Sequence, residues 1–491
     1  MIGKKSFEID GMDFLRGVTS GDNTNDGGMS PLTQQMNITA VPGVLLTPGP
    51  EVDESTNVED EMVASCTDSS YLGDDRVYVD DESFYLFDTS TMTKKATAST
   101  VNYTQGTTDM VEWGAYYYAT TNNTGGDITR YDGATNIVEK YYTATLGGTK
   151  MSSTTPWYPM LVYEGNLYVG NGNELIRIKP DLTVTEAILT LSSVTENISA
   201  LGIDQGTGKM LIATNATNAS GTLYKNTRIF LYDGFSNKAL KVVPVEGLIT
   251  SFKNVGNTTY VFYGNKLGYW TGSGVEYLRT LNFAKGASAT QINPQRTCAI
   301  DNTLYYVDNL PGNTGYNCQI MAYGETINGI KSFYPVLYSS VPTNSITTLA
   351  PVRSHELGYS FATSKFYTFD IDSQASVING GAEMYTKQYK FPRNVTFNGV
   401  IIEFDRQVPT GDTDLLTISC IDSRGRTTAA LPVVNPGARD DGNTPPDGVY
   451  EWESTYPTIQ TRSIQLKIVW GNNSTKVFGI KRITVFYTPK E

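Results

Sequence analysis

Histidine is almost absent from this sequence, and the shortage excludes several kinds of catalytic site. His355 is the single histidine among 491 residues, so a Ser-His-Asp or Cys-His arrangement would have to use it. It lies in the stretch Arg353-Ser354-His355-Glu356, where a structural histidine is the better interpretation. The chain also lacks a Gly-x-Ser-x-Gly elbow, a phosphate-binding loop ending in Gly-Lys-Ser/Thr and a dinucleotide fingerprint. We therefore expect no enzymatic activity, no catalytic residue and no cofactor.

Cysteine is also scarce. Cys66, Cys298, Cys318 and Cys420 are too few and too dispersed for a disulfide scaffold or for a zinc site with Cys-x-x-Cys spacing. We expect them to be reduced core residues. Cys298 and Cys318 are the one pair for which a bridge stays open.

The sequence has no long apolar run and no excess of positive charge. No stretch approaches the roughly 18–20 apolar residues of a membrane span, and residues 1–14 lack the apolar core of a signal peptide. We expect no membrane span and synthesis in a cytoplasm. The formal net charge of -13 argues against general affinity for nucleic acid, because phosphate contacts need clustered lysine and arginine.

Glycine (46 residues) and tyrosine (32 residues) are abundant, as expected for many short strands joined by tight turns. Residues 161–184, LVYEGNLYVGNGNELIRIKPDLTV, contain three strand-like segments separated by Glu-Gly-Asn and Gly-Asn-Gly-Asn turns. Apolar residues recur at about every second position, so one hairpin exposes apolar surface that only a neighbouring copy of the unit can cover.

Seven such hairpin-rich units follow one another and end near residue 373. Their spacing is close to the roughly 40–50 residues that four short strands of a propeller blade need. The sequence therefore predicts an all-β protein with a seven-bladed β-propeller over residues 61–385. We also expect one blade to be completed by a strand distant in sequence, supplied by residues 37–46.

The two ends of the chain differ from the repeats. Residues 1–60 lack the blade pattern, and residues 17–34 are polar and rich in Gly, Asn and Asp, so we predict an extended N-terminal arm over residues 1–60. Residues 386–491 contain longer alternating strands and longer polar loops, which predict a C-terminal antiparallel β-sandwich. In the first part of the arm, Met12, Phe14 and Leu15 form a compact apolar cluster, and Arg16 adds a positive charge beside it. We expect these four residues to dock on a partner, although packing on the chain's own propeller is an equal alternative.

Three further features of the sequence could provide a catalytic, metal-binding or sugar-binding site. A glycosidase needs two carboxylates flanking a sugar bond, and the candidate acids are Asp80, Asp81, Glu82, Glu112 and Asp370. Residues 73–82 and 438–448 carry oxygen ligands suited to calcium, but solvated turns explain the same composition, and we expect no metal site. The tyrosine clusters could stack on sugars, but core packing is the favoured interpretation; they are Tyr116, Tyr117, Tyr118, Tyr141 and Tyr142.

The arm contains the stretch GGMSPLTQQMNITAVPGVLLTPG at residues 27–49. It resembles the Gly-Gly-hydrophobic-Ser-Pro, Asn-hydrophobic and Pro-Gly-Val opening of tail and head-to-tail stabilisation proteins of tailed bacteriophages. The plan of arm, divergent propeller and sandwich is similar to that of the nozzle, or tail-hub, proteins of short-tailed phages. No catalytic residues carry over, because that family has none to transfer.

The resemblance implies a non-enzymatic structural component of the virion tail. Such a subunit forms a homo-oligomeric ring below the portal and adaptor, contacts other virion proteins and lets DNA pass without specific binding. An acidic surface suits that passage, because like charge does not retain DNA. Two alternatives stay open: a receptor- or carbohydrate-binding fibre or decoration protein, and a propeller glycosidase.

Overall fold

The structure is a computed structural model, and its described backbone is almost entirely β-strand. The helical segments there are a π-helical turn at Tyr141–Thr145 and a 3-10 turn at Pro294–Arg296. This confirms the predicted all-β class. The described residues are 5–10, 32–36, 38–41, 45–48, 53–54, 64–67, 75–79, 83–88, 93–99, 107–121, 126–149, 151, 158–191, 196–217, 223–281, 294–309, 318–325, 331–339, 346–353, 355–361, 364–371, 383–386, 388–404, 416–426, 451–470 and 480–490. Among them, no helix is long and apolar enough to cross a membrane.

The N-terminal residues contribute five short strands. These are β1 (Lys5–Asp10), β2 (Leu32–Met36), β3 (Ile38–Val41), β4 (Leu45–Pro48) and β5 (Asp53–Glu54).

Seven four-stranded antiparallel sheets occupy the middle of the described chain. Sheet 1 contains β6 (Ala64–Thr67), β7 (Asp75–Val79), β8 (Ser83–Asp88) and β9 (Thr93–Ser99). Sheet 2 contains β10 (Thr107–Trp113), β11 (Tyr116–Thr121), β12 (Asp127–Tyr131) and β13 (Ile137–Val138). Sheet 3 contains β14 (Met160–Tyr163), β15 (Asn166–Asn171), β16 (Glu174–Ile178) and β17 (Val184–Thr190). Sheet 4 contains β18 (Glu196–Ile203), β19 (Met210–Thr217), β20 (Leu223–Tyr232) and β21 (Lys241–Glu246).

The later sheets continue the series. Sheet 5 contains β22 (Ile249–Val255), β23 (Thr258–Tyr263), β24 (Lys266–Trp270) and β25 (Val275–Thr280). Sheet 6 contains β26 (Thr297–Ile300), β27 (Thr303–Asn309), β28 (Cys318–Glu325) and β29 (Lys331–Ser339). Sheet 7 contains β30 (Ile346–Arg353), β31 (Glu356–Phe361), β32 (Ser364–Asp370) and the distant β5.

Sheet 3 illustrates why the sequence forms these sheets. Tyr163 pairs with Asn166, and the two residues between them, Glu164 and Gly165, both have positive φ, of 47° and 77°. Two consecutive positive φ angles match the right-handed twist of a two-residue hairpin. In β15 the side chains alternate between faces: Leu167 and Val169 pack with residues of sheet 2, whereas Tyr168 packs with residues of sheet 4. Sheet 3 therefore covers apolar surface on both of its neighbours.

The first strands of successive sheets contact one another. In chain order, β6 contacts β10, β10 contacts β14, β14 contacts β18, β18 contacts β22, β22 contacts β26, and β26 contacts β30. The series also returns to its start, since β30 contacts β6.

One sheet is completed by a distant strand, as expected, but the predicted residues were wrong. β5 pairs with β32, with Glu54 opposite Tyr367 and Asp53 opposite Thr368. The described residues of the predicted segment, 38–41 and 45–46, instead lie in β3 and β4, which pair with each other, and Leu46 of β4 pairs with Ile480 of the last strand. β3 and β4 belong to the C-terminal sheet, and the short acidic stretch after them is the part that pairs in sheet 7.

The C-terminal residues form a nine-stranded sheet together with β1 to β4. Its other strands are β33 (Glu383–Thr386), β34 (Tyr389–Phe404), β35 (Leu416–Ile421), β36 (Glu451–Trp470) and β37 (Ile480–Pro489). The long strand β36 changes partners along its length: its first part pairs with β34, and its last six residues pair with β35. The expected long alternating strands are therefore present, with N-terminal strands added to them.

The chain forms two compact units. One comprises Met1–Val52, Gln319–Ser340 and Phe369–Glu491, and the other comprises Asp53–Cys318 and Val341–Thr368. The domain limits predicted from the sequence, at 60/61 and 385/386, stay predictions, and β33 spans the second of them.

Candidate functional site

The four residues predicted to dock on a partner, Met12, Phe14, Leu15 and Arg16, lie outside the described part of the chain. The strand that precedes them is described. β1 pairs antiparallel with β37 over all six of its residues, from Lys5 opposite Tyr487 to Asp10 opposite Arg482. The docking segment therefore begins two residues after a strand whose position is fixed by backbone pairing.

Side-chain packing also holds β1 in place, because its apolar residues share one face. Ile9 lies opposite Ile483, and both side chains are fully buried. The Phe7 ring centroid lies 4.2 Å from that of Tyr389 and 6.2 Å from that of Tyr487. β1 is thus anchored by apolar contacts as well as by its ladder.

Charge contributes less to this anchor. Arg482 of β37 lies between two acids: its Nη2 donates to Glu403 Oε2 at 2.8 Å, and its Nη1 lies 3.6 Å from Glu8 Oε2. The hydrogen bond to Glu403 raises the pKa of Arg482, with a smaller effect from Glu8. Ion pairs this exposed are weak and screened by salt, so the packing of Ile9 is the main anchor.

In the unit formed by Asp53–Cys318 and Val341–Thr368, the carboxylate of Asp109 in β10 is deeply buried, and its pKa is raised. Its Oδ1 accepts from the Met110 backbone N at 2.9 Å and from Gln295 Nε2 at 2.9 Å, and its Oδ2 accepts from the Met160 backbone N at 2.8 Å. Gln295 belongs to the turn before β26, 186 positions along the chain from Asp109. The carboxylate therefore links sheet 2 with its neighbour sheet 3 and with the start of sheet 6.

Burial raises the pKa of Asp109 from 3.8 to about 6, although its three hydrogen bonds and the nearby Lys253 act in the opposite direction. Removing water from a carboxylate disfavours its charged form. The group therefore releases its proton in the folded protein at a higher pH than in the unfolded chain.

This shift predicts a specific pH dependence of stability. Between about pH 4 and about pH 6 the folded state binds more protons at Asp109 than the unfolded state does, so its contribution to stability is full at low pH and is lost as the pH rises. We expect the free energy of unfolding of the wild type, relative to Asp109→Asn, to fall by about 2 kcal/mol from about pH 4 to about pH 7. Urea unfolding followed by tryptophan fluorescence, to which Trp113 in the same strand contributes, measures the difference.

A second variant provides a control of opposite sign. Burial alone would raise the pKa of Asp132, but hydrogen bonds from the Ala134 and Asn136 amides lower it overall. The wild type relative to Asp132→Asn should therefore gain stability with rising pH. Equal slopes for the two variants would contradict the assignment.

The glycosidase alternative needs two carboxylates that face a sugar, and the two most deeply buried ones on first strands have structural partners. Asp109 accepts three hydrogen bonds, as described. Glu196 of β18 accepts from Thr214 Oγ1 at 2.7 Å and from Arg228 Nε at 2.8 Å, with a further bond from Arg228 Nη2. Both carboxylates therefore serve to connect strands.

Of the acids considered from the sequence, Glu112 lies half-buried on β10. Asp370 ends β32, but its side chain lies outside the described residues, as do Asp80, Asp81 and Glu82. The candidate calcium stretch at 438–448 is outside the described residues too, and the stretch at 73–82 is described only over β7. In the described part of the chain, no three His, Cys, Asp or Glu side chains come together.

The remaining sequence candidates have structural explanations. His355 is exposed, in the turn between β30 and β31. Cys298 and Cys420 are buried, as expected for core residues, whereas the side chain of Cys318 lies outside the described residues, so the Cys298–Cys318 bridge stays untested. The tyrosine clusters are core, as favoured: Tyr117, Tyr118, Tyr141 and Tyr142 are buried.

Sequence reasoning missed Asp109, and a structural repeat shows the signal that could have found it. The first strands of sheets 2, 4, 5 and 7 each contain a one-residue bulge at a hydroxyl residue, namely Thr108, Ser199, Thr250 and Thr347. The residues after the bulge are Asp109, Ala200, Ser251 and Thr348. Aligning the repeats on this hydroxyl identifies Asp109 as the charged member of an otherwise small and uncharged set.

Comparison with known proteins does not assign this chain to a family. No protein-family model and no curated protein matches the chain. Among solved structures, the computationally designed protein Ika8 matches with a TM-score of 0.39 and 11% identity, over 69% of this chain and 97% of the designed chain.

Proposed function

We propose that this protein is a non-enzymatic structural subunit of a tailed-phage particle, acting as a tail nozzle or hub component. In this proposal the seven small sheets are the blades of a seven-bladed β-propeller. The return contact of β30 with β6 and the completion of sheet 7 by β5 support that arrangement. The change of partners along β36 supports a C-terminal β-sandwich.

The observation that carries the proposed role is the placement of the N-terminal segment. Its strands β1 to β4 join the C-terminal sheet, and β5 joins sheet 7. The phage-like stretch at residues 27–49 coincides with β2, β3 and β4. Between β1 and β2 the chain has 21 residues, from 11 to 31, that include the predicted docking residues. A tether anchored at both ends can present Met12, Phe14, Leu15 and Arg16 to another subunit or to a neighbouring virion protein.

In the proposed assembly, copies of the subunit form a ring in the virion tail, beside the portal, adaptor or other tail proteins. DNA passes through the opening that the copies enclose. The Asp109–Gln295 hydrogen bond supports an opening between copies rather than within one copy. It joins sheet 2 to the start of sheet 6, and in the proposed propeller these two sheets are not neighbours, so the bond would cross the centre of the ring of blades. The net charge of -13 suits a conduit that does not retain DNA.

Analysis of purified phage particles that encode this chain tests the proposal. Mass spectrometry should detect the protein in the particles, and antibody-gold electron microscopy should place it at the tail. Serine replacement of Met12, Phe14 and Leu15 should reduce its incorporation, whereas Thr24→Ser in the same tether should not. Absence of the protein from purified particles would refute the proposal.

The alternative of a receptor- or carbohydrate-binding fibre has one supporting observation. Such a protein needs outward-facing aromatic rings, and Phe235 and Tyr277 are 60% and 51% exposed. A glycan array is the direct test. Binding that is abolished by Tyr277→Ala would favour this alternative.

A further inference from the structure

The turn between β20 and β21 in sheet 4 exposes an unusual amount of apolar surface. Phe235, Leu240 and Val242 have exposed fractions of 60%, 55% and 44%. Among the described residues, the other large apolar side chains with comparable exposure are Leu182 and Tyr277. Three of the five therefore fall within eight consecutive residues.

This turn is held in one conformation. Asp233 Oδ1 accepts from the backbone N of Phe235 and of Ser236, both at 2.9 Å. Tyr232 OH donates to the Ser236 carbonyl at 2.7 Å, and Tyr168 OH donates to the Gly234 carbonyl at 3.0 Å. The Phe235 ring is thus presented on a rigid support, which lowers the entropy lost when a partner binds.

A turn in sheet 2 begins in the same way but lacks the aromatic ring. In sheet 2, Tyr131 OH donates to the Ala134 carbonyl at 3.1 Å, and Asp132 Oδ1 accepts from the Ala134 N at 2.9 Å. Gly133 has φ of 77° and Gly234 has φ of 85°. Both turns read Tyr-Asp-Gly, followed by alanine in sheet 2 and by phenylalanine in sheet 4. The fold of the turn therefore does not need the ring at position 235.

The same segment has the opposite charge to the protein as a whole. Residues 234–243, GFSNKALKVV, contain two lysines and no acid, and Lys238 and Lys241 are exposed. The chain carries 50 acidic and 37 basic residues. A basic apolar surface on an acidic protein is complementary to the acidic surface of another copy.

Strand addition is not the mode of contact that this edge favours. β21 is an outermost strand of sheet 4, but Pro244 is exposed in its middle and lacks a backbone N–H. Proline and lysine on an edge strand oppose pairing with another strand. A partner would therefore contact this surface through the side chains of Phe235, Leu240 and Val242 rather than by backbone pairing.

We propose that the surface formed by Phe235, Lys238, Leu240, Lys241 and Val242 binds an acidic surface of a second copy of this chain. This inference rests on the proposed ring assembly, and it identifies one side of the contact between neighbouring copies. The Phe235 ring supplies the apolar centre of the contact, and the lysines supply its polar rim.

Sedimentation velocity of the purified full-length chain, over a range of protein concentrations and of salt, tests this inference. The wild type should self-associate, and Phe235→Ala should weaken the association constant by about tenfold or more. Lys238→Glu should weaken it too and should reduce its dependence on salt. Thermal unfolding of Phe235→Ala should match the wild type, because alanine already occupies the equivalent position in sheet 2.

Leu182→Ala is the matched control, since Leu182 is 43% exposed in a turn of sheet 3, and it should leave association unchanged. A chain that stays monomeric at every concentration overturns the inference, and so does unchanged association of Phe235→Ala. If Phe235→Ala abolished binding to a glycan while the chain stayed monomeric, the surface would belong to a different partner and the inference would fail. Self-association through Phe235 in a protein absent from phage particles would retain this inference and refute the proposed function.

Discussion

Gly202→Ala should destabilise the small-sheet unit by about 3 kcal/mol, the upper part of the range for overpacked cores. A Cβ atom at Gly202 in β18 would lie 2.6 Å from the Cβ and 2.8 Å from the Cγ of Phe252 in β22. The Phe252 Cβ is attached to its backbone, so rotation of that side chain cannot relieve the contact. Sheets 4 and 5 must separate to admit the methyl group, and that separation disturbs the buried cluster around Phe252.

Urea unfolding of Gly202→Ala against Gly274→Ala isolates this effect. Gly274 also lacks a positive φ, and an added Cβ there would meet nothing within 4 Å, so its replacement should change stability by less than about 0.5 kcal/mol. Adding Phe252→Gly to Gly202→Ala should cost less than the two single changes together, because removal of the Phe252 Cβ and ring makes room for the new methyl group. Additive effects would show that the two residues do not meet.

Ile9→Asp should release β1 from β37. The substitution removes a fully buried side chain, which costs roughly 1.5–3 kcal/mol, and it places a carboxylate in the same site without a partner. We expect at least about 3 kcal/mol of lost local stability, equivalent to roughly a hundredfold faster hydrogen exchange of the β37 amides if the strand opens locally. Mass spectrometry of deuterium uptake over residues 480–490 measures it.

Ser6→Asp is the matched control, because Ser6 is exposed on the same strand. It adds the same charge and should leave exchange in β37 close to that of the wild type. If the tether acts from the β1 anchor, Ile9→Asp should also lower incorporation into phage particles. Unchanged exchange in Ile9→Asp would mean that β1 does not depend on this side chain.

The small sheets could be predicted because the pattern that specifies them is local. In residues 161–184 the alternation of apolar residues and the Glu164-Gly165 turn lie within a few positions of one another, and they form the strands and the hairpin that they indicate. The same pattern placed the tyrosines of sheet 2 in the core. Local alternation does not, however, state which sheets contact each other. The contact of β30 with β6 could be expected only from the number and spacing of the repeats, through the propeller that they predict.

The completing strand illustrates where the sequence signal ends. Asp53 and Glu54 are acidic residues with low strand propensity, and they pair with β32 because sheet 7 provides the partner. Residues 38–41 have the better strand pattern, and they pair elsewhere. In this case tertiary context outweighed propensity.

Asp109 was missed for a related reason. Its partner Gln295 lies 186 positions away, and no spacing rule relates two residues at such a distance. The predicted docking residues were chosen from local composition, and what the structure adds is the anchor in front of them: Ile9 buried against β37.

The pairing of β5 with β32 also sets an order of events during synthesis. Residues 53–54 leave the ribosome early, but their partners, Thr368 and Tyr367, are made only after about 300 further residues. Until then the early strand has no place in a sheet, and sheet 7 cannot be completed. Contacts this distant in sequence form slowly, so the final pairing is a late step of folding. A nascent chain that terminates before residue 364 has no site for β5, which makes this pairing a built-in check that translation has passed the last small sheet.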